Sequence, residues 1–359
     1  MLAAYKHIST LLFFFSILIT ANAQVVINEF SAANWSDITD NYGNNEDWIE
    51  LYNTTSTTID LSNYYLSDKI SNPTKWAFPA GTTIAANDHL LIWASGRDEQ
   101  SGGQLHTNFK ITQTKTNEDL LFSDPSGTLL DVHTIDIPNK SNHSRGRITD
   151  GDSTWGVFTN TTPNASNTNA KQEYLNRPIF DLAPGLYSGT ITLGLSSPDP
   201  TATIYYTING NLPSATSTLY TAPISLNQTR VVRAIAISSD PNIPDSFIEA
   251  NTYFIDDVHS LPVISISGGN YLYDLLDGDW GAEPLGHLEF FSDSQQLIDE
   301  AYGEFNKHGN DSWAYDQRGI DYITRDQLGY NYAIQHQIFP IKERNEYQKV
   351  ILKAAANDN

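Results

Sequence analysis

The sequence predicts a mainly β protein: two β-sandwiches in series, then a partial α+β lobe. Three observations predict it. The chain is 359 residues long, enough for about two or three domains. Short runs rich in Val, Ile, Tyr, Trp and Phe recur through residues 24–255, separated by Gly, Pro and Asn. The polar stretch 160–173 (NTTPNASNTNAKQE) holds Pro163 and almost no large apolar residue, so it reads as a linker.

Composition narrows the function. Forty-two acidic residues against 20 basic ones give a net charge of −22, and no Lys/Arg run offsets it. A nucleic-acid duplex repels such a surface. Hydrophobic residues make up 40%, which argues against a disordered chain. Cysteine is absent, which excludes disulfides, thiolate metal sites, Cys nucleophiles and a lipidated N-terminal cysteine.

Residues 1–23 read as a secretory signal. Lys6 and His7 precede the apolar run Leu11 to Ile19, and Ala21-Asn22-Ala23 supplies a small-x-small cleavage pattern before Gln24. The run is shorter than the roughly 20 residues that span a bilayer. No second run of spanning length follows. The expected product is exported, extracellular or at the cell surface, without a transmembrane segment.

The first sandwich is expected over 24–159. Its strand candidates are VVINEF at 25–30, WIELY at 48–52, LLIW at 90–93 and LLF at 120–122, with turns at Asn44-Asn45, Pro79-Ala80-Gly81 and Asp124-Pro125-Ser126-Gly127. No 3.6-residue apolar period is sustained there. Ile49 and Leu51 should face one side of their strand and Glu50 the other. Glu29, Glu46, Asp47 and Glu50 are oxygen donors of the kind that calcium takes. Against that, Gly43 stands one position too late for an EF-hand loop starting at Asp37. Glu46, Asp47 and Glu50 thus stand as metal candidates beside the plainer reading of solvated or backbone-bonded acids, and no metal is expected.

The ordered series INEF…EDWIELYN…IDLSNYYLSD…WAFPAGTTI…HLLIWAS…NEDLLFSD…GTLLD, from Val26 to about Asp131, resembles a lamin-tail domain. That resemblance implies an immunoglobulin-like (Ig-like) β-sandwich serving as a binding or spacing module, without catalytic residues.

The second sandwich is expected over 174–255. TIYYTI at 203–208 and TRVVRAIA at 229–236 are strands, and Asn209-Gly210-Asn211 is a turn. The pattern RPIFDLAPGLYSGTITLGL…ATIYYTINGNLPSATSTLYTAPISL…TRVVRAIAI is similar to the C-terminal Ig-like module of chitobiase and β-hexosaminidase enzymes. The module occurs on many other proteins, so hexosaminidase activity does not follow. Tyr205, Tyr206 and Tyr220 are candidates for stacking on sugar rings; core packing is the plainer reading.

Residues 256–359 open with the strand LPVISIS, followed by GHLEFF and YGEFNKHG. Here LPVISI, HLEFF, His308-Gly309-Asn310-Asp311-Ser312, Asp316-Gln317-Arg318, Ile338-Phe339-Pro340 and Val350-Ile351-Leu352-Lys353…Asn357-Asp358 resemble the opening of the CotH family of kinase-like proteins. The resemblance implies the N-terminal part of a lobe that takes ATP with Mg²⁺ or Mn²⁺ and phosphorylates protein hydroxyls. Arg318, where the family commonly has Lys, and Lys353 are the basic groups for the phosphates. Arg is a planar fork and Lys a point charge, so the exchange is not neutral. The family's acidic ligands belong downstream. About a hundred residues are short for a two-lobed domain, so the lobe is expected to be incomplete, inactive alone and without a cofactor. Glu289, Asp316 and Asp321 read as local ion partners, Asp277-Gly278-Asp279 as a surface turn, and His308 as a packed or solvated histidine. Nucleophile-elbow, Walker, Gly-x-Gly-x-x-Gly and His-Glu-x-x-His motifs are absent.

The functional expectation is an exported binding or display protein meeting an extracellular protein or polysaccharide. Two arrangements follow from the domain order: an elongated rod from two sandwiches in series, and, because the other lobe is absent, a last sheet with one large apolar face uncovered.

Overall fold

A computed structural model describes residues 24–116, 118–309 and 318–353, and the protein is mainly β. The leader 1–23, Asn310-Asp311-Ser312, Asp316, Gln317, Asn357 and Asp358 lie outside the described residues.

The first module packs two sheets face to face. The larger has seven strands in the order Trp155–Phe158, Ser144–Arg147, Val25–Ser31, Trp48–Asn53, His89–Trp93, Gln104–His106 and Glu99–Ser101. The smaller has four, in the order Leu129–Thr134, Asp119–Ser123, Tyr65–Ser67 and Trp76–Ala77. Alternation sends Ile49 and Leu51 into the core between them, with Ile27, Phe30, Ile92, Leu120 and Phe122. Glu50 points out of that core, as its strand position requires, yet it is fully buried.

In the second module the main sheet runs Gly185–Tyr187, Glu249–Ile255, Arg230–Ser238, Ala202–Thr207, Thr218–Leu219, and two short strand pairs lie beside it. Ile204, Val232, Ala234, Tyr253 and Ile255 share the face that meets Leu193, Leu195, Ile224 and Leu226. The opposite face carries Arg233, Ile235, Thr252 and Phe254.

That opposite face is not left to water. A five-stranded antiparallel meander, Val263–Ser267, Leu285–Phe291, Leu297–Lys307, Ile320–Thr324 and Lys349–Leu352, packs against it. Phe254 meets Phe291 edge-on with ring centroids 5.1 Å apart, Thr252 N donates to Glu289 at 2.9 Å, and Arg233 Nη2 donates to Tyr302 Oη at 3.0 Å. The other face of the meander is apolar. Leu288, Phe290, Phe305 and Tyr322 on it are covered by Leu272 and Leu275 of the helix Gly269–Asp277, and by Ile334 and Tyr347.

Three expectations are corrected here. The uncovered apolar face is closed, because the helix and the segment around 334–347 supply the apolar cover. The rod is replaced by a folded-back arrangement: the third unit also reaches the first module, where Gln113 N and Nε2 donate to Asp326 Oδ2 at 3.0 Å and its carbonyl at 2.7 Å. Segment 160–173 is not a free linker. Its polar groups bond to buried carboxylates of the first module, and Lys171 pairs with Val157 as a β-bridge.

Candidate functional site

Of the two expected phosphate-contacting groups, Arg318 has a structural duty. Arg318 lies at the end of the helix Gly269–Asp277, where Nη1 donates to Leu276 O at 2.5 Å. Cations suit that position because the last helical carbonyls lack intrahelical donors. Lys353 sits at the exposed end of the last strand. Asp321 accepts from His308 Nδ1 at 2.9 Å and pairs with Lys349 Nζ at 2.8 Å. The Asp277-Gly278-Asp279 stretch is the helix C-terminus, with Gly278 at φ 113° and Asp279 N returning to Asp274 O at 3.0 Å.

The three metal candidates are not assembled into one site. Glu46 pairs with Lys110 at 2.8 Å and Arg97 at 3.5 Å. Asp47 is buried; desolvation and the Asp326 carboxylate of the third unit push its pKa well up. Glu50 lies within the sheet. Among the described residues no group of three or more His, Asp or Glu is placed to hold a metal ion.

The tyrosines divide by strand parity. Tyr206 and Tyr220 pack against the second module's core, with rings 6.3 Å apart and edge-on. Tyr205 is half-buried on the opposite face, paired with Ile235 and Leu219. They do not form one stacking platform.

Two polar clusters were missed by the sequence reading. In the first, a bulge at Asn28 shifts the register of Val25–Ser31 so that Glu29 falls directly opposite Glu50. Like charges at that cross-strand distance repel. Both residues are fully buried. Burial and the neighbouring Glu29 raise the Glu50 pKa to about 8, and burial raises that of Glu29. The segment 162–167 closes over the pair: Asn164 N donates to Glu50 at 2.5 Å, and Thr162 N and Oγ1 donate to Glu29 at 3.0 and 2.5 Å. Asn28 Nδ2 joins Glu50, Asp150 and Asn167 at 3.1–3.3 Å. The available signal was an acid inside each of two strong strands, followed by an Asn/Thr-rich stretch able to supply donors.

The second cluster is the seam between the second module and the meander. His287 Nε2 lies 3.0 Å from Glu300, and Glu289 accepts both Thr252 N and Thr252 Oγ1. Burial holds His287 below the usual histidine range against the opposing pull of Glu300, and burial lifts Glu289 to about 8. Arg177 stacks on Tyr330, its guanidinium carbon 4.1 Å from the ring centroid, and Nη2 donates to Gly329 O at 3.0 Å. A cavity of about 510 Å³ opens where the first module meets this seam, bordered by Lys115, Asp136, Arg177, Glu300 and Asn331.

Fold and sites together define a modular β-sandwich protein whose buried ionisable groups lock sheets and modules to one another. Residues 19–136 match the family model of the Lamin Tail Domain, and residues 182–246 match that of the Chitobiase/beta-hexosaminidase C-terminal domain. Neither match reaches residues 256–359. No curated protein matches the chain. No helix of the described residues is long and apolar enough to cross a membrane.

Proposed function

We propose that this chain is an extracellular binding and display protein whose sandwich modules meet polysaccharide or protein outside the cell. The observation that carries the reading is the structural employment of the candidate chemical groups. Arg318 closes a helix end, Asp321 and Glu289 are bonded within the fold, and Glu50 is sealed under residues 162–167. The outer surfaces of the modules remain for a partner. The leader-like residues 1–23 support export, and the carbohydrate-related family match supports a polysaccharide. The test is retention of the chain on insoluble chitin, cell-wall polysaccharide and immobilised extracellular protein. Retention competed by the same polymer in soluble form is expected; full recovery in the unbound fraction from all three overturns the reading.

A second reading takes residues 256–359 as the N-terminal part of a CotH-type kinase-like lobe. It is favoured by the five-stranded antiparallel sheet with a helix across its apolar face and by Lys353 just past the last strand. Phosphoryl transfer needs basic groups on the phosphates and a divalent metal. A melting temperature that rises with ATP only when Mg²⁺ or Mn²⁺ is present supports this reading. An incomplete lobe gives no shift, so the reading is removed when a chain extended by the downstream acids also melts at an unchanged temperature.

A further inference from the structure

Sheet edges offer a row of unpaired N–H and C=O groups, and folded proteins usually blunt them with charge, proline or a covering element. Val263–Ser267 is the edge strand of the meander, paired on one side with Leu285–Phe291. Its sequence, VISIS, carries neither charge nor proline. Among the described residues its other side has no backbone partner. The five residues lie in a groove of about 430 Å³ that runs along this free edge.

The groove has two walls of different chemistry. Leu272, Tyr273 and Leu276 of the helix form an apolar one, and Thr229, Val231, Thr252 and Phe254 of the second module form a mixed one. The helix is fixed as a wall from across the groove, since Asn211 Oδ1 of the second module accepts Asn270 N at 3.1 Å. At the Val263 end, where Phe254 packs on the strand partner Phe291, Arg230 lines the groove. Among the described residues Arg230 forms no ion pair; Nη1 reaches only Thr229 O at 3.4 Å. At the other end Ser267 Oγ is buried, lines the groove and has no hydrogen-bond partner among the described residues.

We propose that this edge is a docking site for an extended polypeptide segment, which adds to the meander as a further strand. A strand presents side chains alternately to its two sides, which is the pattern two facing walls can read. The segment that fits has apolar side chains at alternate positions and a carboxylate that meets Arg230. A second copy of the same edge fits less well than a lone segment, because it brings its own helix and its own sandwich wall. The proposal deepens the binding reading and rests on it. The retention experiment scores any surface, whereas the experiment below scores this edge alone.

The probe is a fluorescein-labelled heptapeptide of alternating valine and threonine with one glutamate, titrated into the whole chain by anisotropy. Two isomers carry backbone N-methyl groups at alternate positions, one set on each ladder side. Binding of the parent is expected, with one isomer weakened at least about ten-fold and the other close to the parent. Amide exchange at Val263–Ser267 should slow when the parent is bound. Arg230→Gln should weaken the glutamate peptide and leave its glutamine counterpart unchanged. The proposal is overturned by equal binding of both isomers, by no binding at about 1 mM peptide, by protection at Lys349–Leu352 instead, or by self-association through the edge.

Discussion

At the scale of single residues, the largest departure from ordinary chemistry is Glu50. Its carboxyl is fully buried opposite that of Glu29, with Asp150 nearby and His89 Nε2 3.2 Å from Asp150. Burial first, and then the charge of Glu29, raises the Glu50 pKa from 4.5 to about 8. The native state therefore holds a proton that the unfolded chain gives up. The stability contributed by that proton is complete below pH 4.5 and is lost as pH rises through about 8. Glu289 shifts the same way and for the same first cause. The wild-type protein should thus unfold more easily at pH 8.5 than at pH 5.5. Glu50→Gln keeps a neutral group of the same shape, so the pH-dependent loss should shrink by on the order of 2 kcal/mol. Urea unfolding of both proteins at the two pH values checks this. Equal losses would show that Glu50 is ionised in the native state. Strand parity correctly turned Glu50 away from Ile49 and Leu51. It could not show the lid, because donors more than a hundred residues along the chain supply it.

Elements were legible wherever one physical rule acted locally. Runs such as VVINEF, WIELY, TIYYT and RVVRAIA are strands because β-branched and aromatic side chains fill a pleated, half-buried surface. Polarity misled at 160–173, since polar side chains there face buried carboxylates instead of water. Glycine was equally silent. Gly286 and Gly303 are cross-strand neighbours in the meander, and each is there because of close approach. A Cβ on Gly303 would lie 2.1 Å from Ile323 O, and one on Gly286 would lie 2.5 Å from Phe305 Cε2 and 2.5 Å from Ser267 O. The neighbour at Gly303 is backbone within the same sheet, so it cannot turn aside as a side-chain tip would. Gly303→Ala should cost roughly 2–3 kcal/mol, the upper part of the usual overpacking range. Gly43→Ala meets no neighbouring atom and carries only the cost of its positive φ, 77°, about 1 kcal/mol. Chemical denaturation of the two variants distinguishes close approach from backbone strain. A Gly303 variant as stable as the Gly43 variant would refute the packing account.

For the whole molecule, the decisive contacts join units far apart in sequence, and neither periodicity nor composition reports them. A rod follows from reading each sandwich alone, because an isolated sandwich hides its core and presents polar outer faces. The second module breaks that rule on one face: Arg233, Ile235 and Thr252 are buried there, and the cover is the meander. Arg233 is fully buried, bonded to Gly210 O and Tyr302 Oη, both at 3.0 Å. Gln113 and Asp326 tie the same meander to the first module. A chain of 336 residues packed as one body has a radius of gyration near 20 Å; sandwiches in series exceed it clearly. X-ray scattering of residues 24–359 should therefore give a value close to the compact one, with a single-peaked distance distribution. Arg233→Ala leaves the Tyr302 hydroxyl without its donor and opens a gap at the seam, a loss of about 2–4 kcal/mol. If that seam joins the units, this variant should expand in scattering while near-ultraviolet circular dichroism retains the signature of the first module's packed aromatics. An extended wild-type curve would return the molecule to a string of separate modules. It would also leave the groove beside Val263–Ser267 with one wall instead of two.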